Sequence, residues 1–166
     1  MNMPLPDKLI RTALTQVGYH EKTSEKNLDD HKANSGNGNY TKYGAWLNIN
    51  PAPWCHAFVS WCAHKAEISA NIIPKTASCD SGMEFFKKQK RFEKSIAYGG
   101  SYIPRPGDIM YCGNASRPWD STHSAIITGC DNKHIYSIDG NSGDMVEQRV
   151  RELVSDFILG FGKPKY

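Results

Sequence analysis

At Pro106-Gly107 the hydrophobic rhythm of the chain changes, and that change limits the folds open to it. Before this point apolar residues recur at helical spacing. Pro4 to Val17 carries Leu5, Leu9, Ile10, Ala13, Leu14 and Val17, with prolines at its start and Gly18 at its end, which predicts an amphipathic helix. Residues 19–39 are polar and read as a loop of the length that is usually functional or mobile. Thr41 to Leu47 predicts a short helix carrying Tyr43 and Trp46. Cys55 to about Ala70 predicts a second clear helix. Another follows Ser78, with Asp80 or Ser81 as caps and Met83, Phe85 and Phe86 as anchors. The basic run KKQKRFEK (87–94) reads as the end of that helix, its lysines complementing the C-terminal dipole.

Beyond Pro106-Gly107 the texture is that of strands. Asp108–Gly113, Ser124–Gly129, His134–Ile138, Met145–Arg151 and Phe157–Phe161 are short and rich in β-branched or aromatic residues. Gly, Asn and Asp separate them, as in CDNKH and DGNSGD. Helices first and an antiparallel sheet after is an α+β order. The expectation is N-terminal helices packed on a C-terminal antiparallel sheet of about five strands, in one domain over residues 1–166.

Composition excludes several classes. With 39% hydrophobic and 22% charged residues the chain is globular in type. A net charge of +3 is too weak to argue for nucleic acid, though it suits a polyanionic surface such as a cell wall. No apolar stretch approaches the roughly 18 residues of a membrane-spanning helix. The N-terminal MNMPLPDKLIRTAL lacks a basic segment followed by an apolar run, so no signal peptide is expected. Synthesis in the cytoplasm is therefore expected. Five cysteines, at 55, 62, 79, 112 and 130, with no CxxC pair, are expected to be free thiols.

The segment NPAPWCHAFVSWCAHKAEI concentrates the reactive side chains. At about 100° per residue, Cys55, Phe58, Val59, Cys62 and Ala66 share an apolar face that should pack on the sheet. Pro53 stops the helix from extending backwards, which leaves Cys55 in the first turn. Unpaired backbone N–H groups and the positive dipole end favour a thiolate there and offer donors to an oxyanion. Cys62, two turns in, reads as a small buried hydrophobe. His56 projects away from Cys55, and His64 falls near the opposite, exposed face. A zinc site built from these two cysteines and two histidines is excluded on those angles, and no metal or cofactor is expected.

The base for Cys55 must come from elsewhere. His20 and His31 lie in the polar loop, and His134 lies in a turn. His123 fits, because it opens the strand HSAIITGC after a long loop and is placed to point into a cleft at the sheet edge. If 123–130 and 134–139 form a hairpin, Asp139 lies near His123 and could orient its imidazole. Asn141, two residues on, could share that part or shape the cleft. Trp54, Tyr43 and Trp119 are candidate walls of a groove for sugar or peptide, with Tyr40 and Trp46 beside them.

In their order along the chain, PWCHAFVSWC, IPRPGDIMYC, HSAIITG and YSIDGNSGDMVEQRVR resemble the CHAP family of cysteine, histidine-dependent amidohydrolases and peptidases, within the NlpC/P60, papain-like superfamily. The segment upstream looks like those of phage and prophage lysins. The resemblance implies a papain-like α+β fold and hydrolysis of peptidoglycan amide bonds, in an endolysin that meets the wall after lysis or release. It implies Cys55 as nucleophile, His123 as base and Asp139 at the position usually held by Glu or Asn, with Asn141 matching the Asn of the acid-Gly-Asn run. Some members carry a calcium-binding acidic loop before the cysteine; here WLNINPAPW has no carboxylate, so no such site is expected. Asp108 in PGDI reads as a turn residue. A monomer is expected. The rival readings are a non-catalytic wall-binding module and an exported toxin that targets peptidoglycan.

Overall fold

The computed structural model describes residues 3–166. Pro4 precedes helix α1 (Leu5–Leu14), whose Leu9 and Ala13 are buried. The helix stops three residues short of the expected Val17, and Gly18 then turns through a left-handed backbone and donates to the Val146 carbonyl. The polar segment that follows is pinned at several points. Lys22 N–H bonds the Tyr40 carbonyl at 2.8 Å, Val146 N–H bonds the Tyr19 carbonyl at 2.9 Å, and the Tyr19 hydroxyl bonds the Leu28 carbonyl at 2.7 Å. Helix α2 (Lys42–Leu47) is capped by the Thr41 hydroxyl, which accepts from Gly44 N–H.

Helix α3 (Cys55–Lys65) is buried on almost every side, including His56, Ala57 and Ser60. The expected apolar face does meet the sheet, but α1, α2 and α4 cover the rest, so a single stripe understates its burial. It ends at Lys65, short of Ala70, because Glu67 adopts a left-handed backbone. Helix α4 (Cys79–Lys88) is capped by Ser78, two or three residues before the expected Asp80 or Ser81.

The basic run 87–94 does more than end α4. Lys90 takes a left-handed conformation, and the chain returns as the short strand β1 (Phe92–Lys94). Strands β2 (Ile109–Gly113), β3 (Ser121–Cys130), β4 (His134–Ser142), β5 (Met145–Glu152) and β6 (Ile158–Gly162) follow. They form a six-stranded antiparallel sheet in the order β1-β6-β2-β3-β4-β5, one strand more than expected. β3 and β4 are also longer than read from the sequence, and their extensions carry His123 and Asn141.

Both sheet faces are covered. Ile109, Tyr111, Ile126 and Ile138 pack under the helices, while Met110, Cys112, Ala125 and Phe161 form a second core on the opposite face. Gly140 lets α3 approach β4 at the end nearest Cys55, since a Cβ there would lie 2.6 Å from Cβ of Phe58. The fold is α+β, as expected.

Candidate active site

Cys55 is the first residue of α3, and its side chain is 6% exposed. A residue at this position has a backbone N–H with no acceptor inside the helix. Trp54 sits at the cap position and makes no side-chain cap. Its indole is turned back into the core, where Nε1 donates to Glu21 Oε2 at 2.7 Å and the ring stacks on Tyr43 at 5.4 Å. Trp54 and Tyr43 are both fully buried. They are therefore not groove walls, which corrects the reading of them as substrate-facing. Glu21 supplies a buried acceptor for the indole, and Gln16 does the same for the Tyr43 hydroxyl, so both rings can sit inside. Trp119 is 67% exposed, on the loop before β3.

The structure brings His123 and Asp139 together. Nε2 of His123 donates to Asp139 Oδ2 at 2.7 Å. That leaves Nδ1 for the thiol, and Cys55 and His123 lie close enough for each to shift the other's titration. Asp139 is fully buried. It is also gripped by Arg151, whose Nη2 donates to Oδ2 at 2.6 Å and Nη1 to Oδ1 at 3.3 Å. The Ser137 hydroxyl donates to Oδ1 at 2.5 Å. Asn141, with a left-handed backbone, lies with His123 on the wall of a cleft of about 580 Å³ that Arg149, Arg151 and Phe157 also line.

These contacts set the charges. For Asp139, burial opposes ionisation, but hydrogen bonds from His123 and Arg151 outweigh it and hold the carboxyl below its ordinary value. For His123, burial opposes the imidazolium, but Asp139 and then Cys55 raise it to about 9. For Cys55 the largest influence is a hydrogen bond from the Cys79 thiol, whose Sγ is 3.4 Å away. Burial opposes that influence, His123 reinforces it, and the thiol is held well below its ordinary value. Two thiols this close do not both ionise; Cys55 does, because the imidazole faces it. Both directions favour a thiolate–imidazolium pair on a buried carboxylate.

The other cysteines go the opposite way. Burial raises Cys62, Cys112 and Cys130, and the bond to Cys55 raises Cys79. Iodoacetamide at neutral pH is therefore expected to label Cys55 well ahead of the other four cysteines. As pH falls through the lowered Cys55 value, the thiolate is protonated and labelling should slow. Peptide mapping after a timed quench measures this; uniform labelling of all five cysteines would contradict the pair.

Three of the residues around the pair had not been singled out in the sequence. Cys79 and Arg151 touch the pair or its carboxylate, and Ser137 completes the set of donors to Asp139. Strand alternation from Asp139 and its register partner Glu147 places Arg151 on their face, so Arg151 was within reach of that method. Cys79 depends on how α3 meets α4, which no local pattern reports. The remaining histidines nearby belong to other networks. His56 is buried, with Nδ1 3.0 Å from the Thr76 carbonyl oxygen and Nε2 3.2 Å from the Tyr111 hydroxyl, and burial lowers its pKa. His64 is exposed and stacked on Trp46. Asp108 accepts from Arg105 N–H and the Tyr102 hydroxyl, as a turn residue does. Among the described residues, no three His, Cys, Asp or Glu side chains are gathered to hold a metal ion.

Solved structures share the fold. The structure of Ly7917 superposes with a TM-score of 0.52 at 14% identity, covering 96% of this chain and 62% of that one. The chain thus spans less than two thirds of Ly7917. RipD from Mycobacterium tuberculosis, described as a non-catalytic NlpC/p60 domain protein adapted to peptidoglycan binding, superposes with a TM-score of 0.51 at 15% identity, with 98% of each chain covered. At such identities the likeness bears on the fold alone. No curated protein matches the sequence. A model of the CHAP domain matches residues 47–141, which is more than half of the chain and runs from before Cys55 to Asn141. The chain belongs to the CHAP domain family.

Proposed function

We propose that this CHAP domain is a cysteine-dependent hydrolase of peptidoglycan amide bonds, acting as an endolysin that reaches the wall after lysis or release. The observation that carries this reading is His123, hydrogen-bonded to the buried Asp139 and close enough to Cys55 for thiol and imidazole to shift each other's titration. The Cys55 thiolate attacks the amide carbonyl, and the Cys55 backbone N–H donates to the oxyanion at the helix mouth. His123 protonates the leaving amine, which departs and leaves an acyl-enzyme. Neutral His123 then takes a proton from water, which hydrolyses the thioester and regenerates the thiolate. Asp139 holds the imidazole with Nδ1 toward sulfur throughout. Both the bond between muramic acid and L-alanine and the bonds of the stem or crossbridge suit this chemistry.

A second reading, a domain that holds peptidoglycan without cutting it, draws on the description of RipD as non-catalytic. The intact Cys55–His123–Asp139 set favours the enzyme. Incubation with purified walls of defined crossbridge, followed by mass spectrometry of the soluble fragments, tests the choice. New amino termini, with the cleaved bond read from fragment masses, are the expected result. Sedimentation of the protein with walls of every type, with no new amine released, would leave the binding module.

A further inference from the structure

Cys79 opens α4 as Cys55 opens α3, and their sulfurs lie 3.4 Å apart. Among the described residues no other two thiols are in contact, and all five cysteines are free. Both are nearly but not wholly enclosed, at 6% and 7% exposure. Among the described residues, the only other polar contact of the Cys79 thiol is with the Ser124 hydroxyl, at 3.6 Å. Nothing ties Cys79 down strongly. A disulfide needs its sulfurs about 2.05 Å apart, so the pair must close by about 1.4 Å from its 3.4 Å separation.

We propose that Cys55 and Cys79 form an oxidation site, in which Cys79 is a resolving thiol that converts a peroxide-oxidised Cys55 into a disulfide. In the first step the Cys55 thiolate attacks one oxygen of hydrogen peroxide. The O–O bond breaks and an S–O bond forms. Hydroxide leaves and is protonated by solvent; the peroxide is reduced by two electrons and Cys55 becomes a sulfenic acid. In the second step the Cys79 sulfur attacks the Cys55 sulfur. The S–S bond forms, the S–O bond breaks, and hydroxide leaves with the Cys79 proton as water. Excess dithiol reverses the disulfide by exchange. Without a neighbouring thiol, the sulfenic acid would meet a second peroxide and pass to the sulfinic acid, which dithiols do not reduce. Cys79 therefore blocks the nucleophile reversibly where it would otherwise be lost. The chemistry concerns Cys55 as a reactive thiol, and holds whether or not the chain cuts peptidoglycan.

The test uses the full chain and hydrogen peroxide at neutral pH. Remaining thiols are blocked with iodoacetamide and the peptides are mapped without reduction. The expected result is a linked Cys55–Cys79 peptide as the main oxidised species, with Cys55 labelling lost and then recovered on adding dithiothreitol. In Cys79→Ala, labelling should also be lost, but its recovery should be roughly tenfold lower, with Cys55 found as sulfinic acid. Cys79→Ser keeps a donor beside Cys55, and so favours the thiolate, but should likewise form no linked peptide and show the same fall in recovery. Three results would overturn the proposal: wild-type Cys55 found unlinked as sulfinic acid, wild-type Cys55 left unmodified, or equal recovery in the wild type and both variants.

Discussion

Cys55→Ala is expected to abolish hydrolysis of purified peptidoglycan, with kcat/KM falling at least about 10⁴-fold, and His123→Ala is expected to approach the same loss. The two act as one unit. The thiolate is favoured by the Cys79 hydrogen bond and by the imidazolium facing it, and the imidazolium is favoured by Asp139 and the thiolate. Removing either ends the chemistry, so the double variant should lose little more than the worse single one. Folding should survive both changes. Cys55 contributes one small side chain at a helix end, and without His123 the Asp139 carboxylate still keeps Arg151 and Ser137. Thermal melts of the variants should thus stay close to the wild type while turbidity clearing of walls disappears. Undiminished clearing by either folded variant would remove the mechanism.

Arg151→Ala is expected to be the most destabilising change at the site, by about 3 kcal/mol, or a fall in Tm of roughly 6–12 °C for a chain of this size. Asp139 is fully buried and Arg151 grips both of its oxygens. Truncating the arginine leaves that charge inside with only His123 and Ser137 as partners. Arg151 is a positioning residue for the same reason, because it fixes the plane of the carboxylate that aims the imidazole. A purely structural role would lower Tm and leave titration alone. The expectation here is different: with its positive charge gone, Asp139 acts more strongly on His123. The alkaline limb of the activity profile, set by His123 near 9 in the wild type, should then move upward while kcat falls. Arg151→Lys keeps the charge but not the fork, and should recover the position of that limb better than it recovers kcat. A lower Tm with an unmoved limb would leave Arg151 as a structural clamp only.

Much of the fold could be read locally. Proline position placed Cys55 at a helix start, and hairpin alternation put Asp139 beside His123 across 16 residues. Both follow from short-range geometry. The misreadings have a different cause. Trp54 and Tyr43 look alike in sequence whether they line a groove or fill a core; what decided the matter was a buried acceptor, Glu21, 33 residues before Trp54. Strand β1 is three residues long, too short to show a period, and it exists because β6 offers it an edge. Cys79 meets Cys55 only through the packing of two helices whose sequences carry no sign of each other.

The bond between Glu21 and the Trp54 indole has a consequence for how the family fold could vary. Trp54 immediately precedes the nucleophile, and Glu21 also accepts from Asn39 N–H at 2.8 Å, at the far end of the polar segment. One carboxylate thus fastens both the segment and the residue that sets where α3 begins. Length changes between Lys22 and Asn39 can be accommodated only if these two anchors keep their spacing. A surface excursion that looks free to drift in sequence is, mechanically, part of the mounting of the thiol. Exchanging that excursion between related domains would transplant the seat of the nucleophile along with it, unless Glu21 and Trp54 travelled as a pair.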